Sequence, residues 1–182
     1  IVANVSFQLV NRENDKPYNS PVDAKTKVKL SLTSPYNDWC YWNGVLNIAM
    51  LRLADATDNS DYENFAIKNV AFGFDNVAYF KNHHKDENKW AYPLGQHFMM
   101  EELDDCGAMG ASVIEVYQID QQERYLKYIR ASADHMLNRQ NRLEDGTFVR
   151  SFPHKWTLWA DDLYMGLAFI SRMGRLSGED GK

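Results

Sequence analysis

Two stretches of this chain place adjacent carboxylates at the start of a segment with helical apolar spacing: Glu102-Leu103-Asp104-Asp105-Cys106-Gly107 and Trp159-Ala160-Asp161-Asp162-Leu163-Tyr164. A carboxylate in a first helical turn satisfies free backbone N–H groups and the positive end of the helix dipole, so acidity there is ordinarily structural. The neighbours point further. Gly107, Ala108, Gly110 and Ala111 follow the first pair, and Gly166 and Ala168 the second, residues small enough to let backbones approach closely. Trp156, Trp159 and Tyr164 surround the second pair. Carboxyl groups on close-packed helix ends, beside flat aromatic faces, suit acid–base chemistry on a sugar ring.

The elements that must hold these groups are helical. From Val45 to Ala54 apolar residues cover more than one face, as in a helix buried on most sides. Asp61 to Phe80 follows with a narrower apolar stripe behind the capping run Asp58-Asn59-Ser60. The couplet recurs: Asp105 to Tyr117 is apolar and small, whereas Gln122 to Asn138 carries Tyr125, Leu126, Ile129, Ala133, Met136 and Leu137 on one stripe, leaving His135 on the polar side. A third buried-type helix is expected from Asp161 to Met173, then a polar exit through Lys182. A partial helix is expected near Val5 to Val10, ahead of the turn-rich Asn14-Asp15-Lys16-Pro17.

Alternating inner and outer helices are the unit of an (α/α) toroid, an all-α fold in which inner helices pack side by side and outer helices cover them. About two and a half such hairpins are legible across residues 1–182, read as one domain and about the N-terminal half of a six-hairpin barrel. Inner helices left without neighbours would expose more apolar surface than soluble monomers usually carry, so the remaining half of the barrel or a second copy is the expected partner.

The motifs Trp39-x-Tyr41-x-x-Gly44-Val45, Glu102-Leu103-Asp104 and Trp159-x-Asp161-x-Leu163-Tyr164-Met165-Gly166 stand in that order on three helical segments. From about Trp39 to Arg175 this pattern resembles the unsaturated glycosyl hydrolases of glycoside hydrolase families 105 and 88, with the unsaturated rhamnogalacturonyl hydrolases of family 105 the nearer likeness. The resemblance implies an (α/α)6 barrel, an unsaturated uronic-acid oligosaccharide as substrate, and hydration of a C4=C5 double bond without a cofactor. It assigns Asp161 as catalytic acid and base and Asp104 as the carboxylate that tunes it and binds a hydroxyl, while Asp105 and Asp162 remain structural. Burial among Trp156, Trp159 and Tyr164 is expected to favour the protonated acid. Trp39, Tyr41, Trp42, Trp159 and Tyr164 become candidate sugar platforms, and Asn43 a hydroxyl ligand. Arg150 and His154, with Lys155, become candidates for the substrate's carboxylate.

The remaining features narrow the class. Chain length of 182 residues, 45% apolar content and a net charge of −5 describe an acidic globular domain and argue against nucleic acid as a partner. No run approaches the ~20 apolar residues of a membrane span. Ile1-Val2-Ala3-Asn4 lacks the basic start and apolar block of a signal peptide, so the natural start is expected upstream. Cys40 and Cys106 lack metal-site spacing and read as small buried hydrophobes. The adjacent His83-His84 have no partner four residues on, so no metal is expected, and the stretch from Lys81 to Met100 reads as a loop with His97 near a pocket or the core. Two rivals remain: another toroid hydrolase, such as a family 88 type glucuronyl hydrolase acting on glycosaminoglycan fragments, and a noncatalytic helical-repeat module. Couplets of unequal length without a fixed period count against the second.

Overall fold

The computed structural model describes residues 5–24, 29–85 and 88–178. Residues 1–4, on which the reading of the chain's start rests, and 179–182, the end of its polar exit, lie outside the described residues. A small sheet comes first, with β1 (Leu9–Asn11) between β2 (Pro17–Tyr18) and β3 (Leu30–Leu32), all antiparallel neighbours. The chain then runs through α1 (Tyr41–Thr57), α2 (Ser60–Asn82), the one-turn α3 (Gly95–Phe98), α4 (Leu103–Ile119), α5 (Glu123–Asp134) and α6 (Ala160–Ser177).

The helices sort into the two expected layers. α4 packs between α1 and α6, while α2 lies on α1 and α5 on α4. Small residues set the spacing of the inner row. A Cβ added at Gly44 would stand 2.4 Å from the Ala108 carbonyl carbon, and one at Gly107 would stand 2.7 Å from Met165 Cβ. Those contacts join the helix starts, whereas near the far ends Glu115 Oε1 accepts from Arg52 Nη2 at 2.7 Å and Arg172 Nε at 2.8 Å. Starts meeting starts and ends meeting ends make the three inner helices parallel, so their positive dipole ends open on one side of the layer.

Both end helices of this row leave an apolar stripe in solvent. On α6 the stripe is Leu163, Leu167 and Ile170, opposite the buried Met165 and Phe169; on α1 it is Trp42, Val45, Ala49 and Leu53. These faces match the expectation of inner helices without neighbours, and the architecture is part of an (α/α) toroid.

Two local expectations are corrected. Residues 5–10 do not form a partial helix: Phe7 and Leu9 point inward at period two, Leu9 pairs with Tyr18 and Leu32, and Phe7 packs edge-on against Phe65 of α2. His135 is not a surface residue. α5 continues as a π-helical turn over His135–Arg139, whose wider winding slips the helical phase. That slip buries His135, which is 4% exposed with Nε2 3.1 Å from Gln140 Oε1, and turns Leu137 out to 66% exposure.

Candidate active site

The start of α4 is built around Asp105. Its carboxylate accepts from the backbone N–H groups of Glu101 and Glu102, from Gln96 Nε2 at 2.9 Å and from Lys89 Nζ at 2.5 Å. Three of these donors converge on Oδ2 and Gln96 takes Oδ1, so both oxygens of the fully buried Asp105 are engaged and it is a capping and core residue. Glu102 caps the same turn and accepts from the Ser151 N–H at 3.1 Å, which ties the loop between α5 and α6 to α4.

That loop delivers Arg150. Its backbone bridges Thr157, donating to the Thr157 carbonyl at 3.0 Å, and its guanidinium passes beneath the starts of α4 and α6. Nε donates to Asp162 Oδ2 at 2.8 Å, and Nη2 to Asp162 Oδ1 at 2.5 Å and to Asp104 Oδ2 at 2.9 Å. The guanidinium carbon lies 4.0 Å from the centroid of the Trp159 ring. Although burial opposes its charge, the two carboxylates hold the guanidinium's pKa above its ordinary value.

Asp104 answers to opposed influences. Burial pushes its carboxyl pKa up, Arg150 pulls it back, and Asp162 and Asp105 add to the rise; the net direction is upward. Asp161, half-buried in the first turn of α6, accepts from the Asp162 N–H at 3.1 Å and has no cation partner among the described residues. Asp104 and Asp161 line one cavity of about 610 Å3 together with Tyr41, Trp159 and Arg150. A larger groove of about 750 Å3 lies elsewhere, between the Val5–Phe7 segment and α2, with Asp61 and Lys68 as its charged residues.

The other candidates divide. Tyr41 and Trp159 face the cavity. Trp39 does not: it is 2% exposed, its indole Nε1 donates to Tyr128 Oη at 2.9 Å, and its ring packs against Phe74 and His97. Asn43 is likewise spent inside, its amide donating to the Pro35 and Asp38 carbonyls at 2.8 Å each. Trp42 borders a separate cleft of about 60 Å3 beside Tyr92. Tyr164 and His154 are exposed and lie off the cavity wall, and Trp156, 62% exposed, does not bury Asp161 as expected. Arg150 is at the site, but engaged with carboxylates of the chain itself.

Sequence reasoning missed Lys89, Trp90 and Phe152, which also line the cavity. Trp90 stands in a stretch read as loop, and a tryptophan directly after a lysine in such a stretch was the available signal. Lys89 gave none, because its burial depends on Asp105, sixteen residues away. Both cysteines are buried and free, as expected, and no cluster of potential metal ligands occurs among the described residues.

Comparison with known proteins bears on this geometry. A family model described as Glycosyl Hydrolase Family 88 matches residues 14–181. Among solved structures, a possible member of glycoside hydrolase family 105 from Klebsiella pneumoniae superposes with a TM-score of 0.59 at 13% identity, over 85% of this chain and 36% of that one. At that identity the likeness establishes the fold, and this chain spans 36% of the solved protein's length.

Proposed function

The chain belongs to glycosyl hydrolase family 88, and on that premise we propose that it carries the acid–base groups of an enzyme removing a terminal 4,5-unsaturated uronic acid from lyase-cut oligosaccharides. Such a sugar is a vinyl ether, with its C4=C5 bond adjacent to the ring oxygen. Protonation at C4 leaves a cation at C5 that the ring oxygen stabilises. Water adds at C5, the hemiketal opens, and the aglycone leaves. One carboxylic acid suffices if it gives the proton to C4 and, as carboxylate, takes one from the attacking water. The spacing rule for retaining and inverting glycosidases does not apply, because C1 is not attacked.

The observation that carries this reading is the unequal bonding of two carboxylates in one cavity. Asp104 is tied through Oδ2 to Arg150, which leaves Oδ1 without a partner among the described residues and open to a sugar hydroxyl. Asp161 pairs with no cation among the described residues and accepts only from the Asp162 N–H, so it is the carboxyl left free to meet C4 and the attacking water. Trp159 and Tyr41 supply aromatic surface beside both.

Asp161→Asn in the complete barrel keeps size and most hydrogen bonding but removes the transferable proton, so turnover is expected to fall at least ~100-fold while binding survives. Loss of ultraviolet absorbance from the double bond is the readout. An unsaturated rhamnogalacturonan disaccharide is the expected substrate; the match to family 88 supports an unsaturated chondroitin disaccharide as the second reading, and faster turnover of the latter would select it. Near wild-type turnover by the variant would remove Asp161 as the acid.

A further inference from the structure

Arg150 occupies a position that a substrate-binding arginine would not need. It is 3% exposed, its backbone is pinned to Thr157, and its guanidinium sits between the first turns of α4 and α6. The planar fork meets Asp162 through both Nε and Nη2, the geometry in which arginine binds a carboxylate most rigidly. The same Nη2 reaches Asp104, and the ring of Trp159 lies along the guanidinium. One cation thus touches the proposed hydroxyl-binding carboxylate, the neighbour of the proposed acid, and a proposed sugar platform.

We infer that Arg150 is a positioning residue, which locks the first turn of α6 onto that of α4 and thereby sets Asp104, Asp161 and Trp159 relative to one another, rather than a ligand for the substrate's carboxylate. The inference rests on the functional reading above for what the site does, but not for what Arg150 holds. Asp162 takes the Nε/Nη2 edge of the guanidinium and Asp104 the other Nη2 hydrogen, which leaves Nη1 alone, and no complete bidentate edge, for an incoming carboxylate. Asp161 is adjacent in the chain to Asp162, so fixing the Asp162 carboxylate fixes the turn that carries Asp161. Orientation of this kind has leverage, since a misplacement of about 1 Å at a reacting group can cost ~100-fold in rate.

Charge gives an independent handle. Asp104 faces Arg150 from the α5–α6 loop, Asp161 and Asp162 from α6, Asp105 on its own helix, and Lys89, Glu101 and Glu102 around the cavity. Burial favours its protonated form and Arg150 opposes that, whereas Asp162 supports it. Removing Arg150 therefore moves the Asp104 midpoint up, and removing the charge of Asp162 moves it down.

The test uses the complete barrel with Arg150→Lys, Arg150→Met and Asp162→Asn. Arg150→Lys keeps the charge and loses the fork; the expected result is a fall in kcat of about tenfold or more with KM within about threefold. A rise in KM at unchanged kcat would make Arg150 a substrate ligand and overturn the inference. Carboxyl-carbon NMR titration of Asp104 needs no turnover, and so separates this inference from the assigned activity. An upward shift in Arg150→Met supports the Arg150–Asp104 contact on which the inference stands, even if no unsaturated uronide is consumed, and an unchanged midpoint overturns it. Should Arg150→Met fail to fold, Asp162→Asn decides the same point: a lowered Asp104 midpoint with reduced kcat supports the inference, while unchanged values of both overturn it.

Discussion

At the scale of single residues, the structure separates groups that share a composition but not a surrounding. His97 shows the difference most directly. Its ring lies among Trp39, Phe74 and Tyr128 at 4.3, 4.9 and 4.8 Å, its Nε2 is shut away from solvent with no partner among the described residues, and burial pushes its pKa down to about 3. An unfolded histidine titrates near ~6.5, so between that value and about 3 the unfolded chain binds a proton that the folded chain refuses. Stability from His97 is therefore complete above about pH 6.5 and is lost as the pH falls, with a one-proton slope of up to about 1.4 kcal/mol per pH unit. His135, whose pKa burial also lowers, contributes in the same direction. Chemical denaturation as a function of pH should show His97→Phe flattening the acid limb while leaving stability at pH 8 nearly unchanged; an acid limb identical to wild type would mean His97 is protonated in the fold. The carboxylates were legible in the sequence because capping chemistry and spacing are local. The roles of the aromatic residues were not: Trp39 leaves the candidate surface because its indole meets Tyr128, 89 residues away, and nothing near Trp39 announces that contact.

At the scale of elements, close helix spacing does the positioning, and glycine permits it. Gly44 packs on the backbone of Ala108 and Met109, which cannot swing aside, whereas the space beside Gly166 ends on the Phe148 ring at 3.0 Å. Alanine gains roughly 1 kcal/mol of helix propensity at either position, but overpacking against backbone costs about 1–3 kcal/mol or more. Gly44→Ala is thus expected to lower stability by about 2 kcal/mol in a denaturant melt, and Gly166→Ala to stay within about 1 kcal/mol of wild type. Equal effects would show that α1 and α4 can separate without loss. The five long helices were readable because their apolar periods are strong; Asn59 caps α2 and Glu102 with Asp105 caps α4 as the sequence predicts, whereas Asp161 and Asp162 lie in the first turn of α6 without capping it. The two misreadings have physical causes. Val5 to Val10 is short enough for period two and period 3.6 to compete, and pairing with β3 decides for the strand. The π-turn at His135–Arg139 shifts the helical phase, which a fixed period of 3.6 cannot register.

At the scale of the whole molecule, the three parallel inner helices gather their starts at one end and leave two apolar flanks. Leu167 lies at the centre of the α6 flank and is 62% exposed in this chain. In the complete barrel a neighbouring inner helix is expected to cover it, so Leu167→Asp should cost the complete barrel about 3 kcal/mol or more, as burying an unpaired charge does. A change within about 0.5 kcal/mol would place Leu167 on a true outer surface. The collection of starts at one end is also what brings Asp104 and Asp161 into a common cavity, and the central claim is that this cavity protonates an unsaturated uronide at C4. The most direct measurement is the reaction of the complete barrel with an unsaturated disaccharide in deuterium oxide, with the released sugar analysed by mass spectrometry and proton NMR. Hydration predicts loss of the ultraviolet absorbance, one solvent deuteron bonded to C4 and a keto group at C5 in the first-formed product; release of a uronic acid that keeps its double bond and carries no deuterium at C4 would contradict the account.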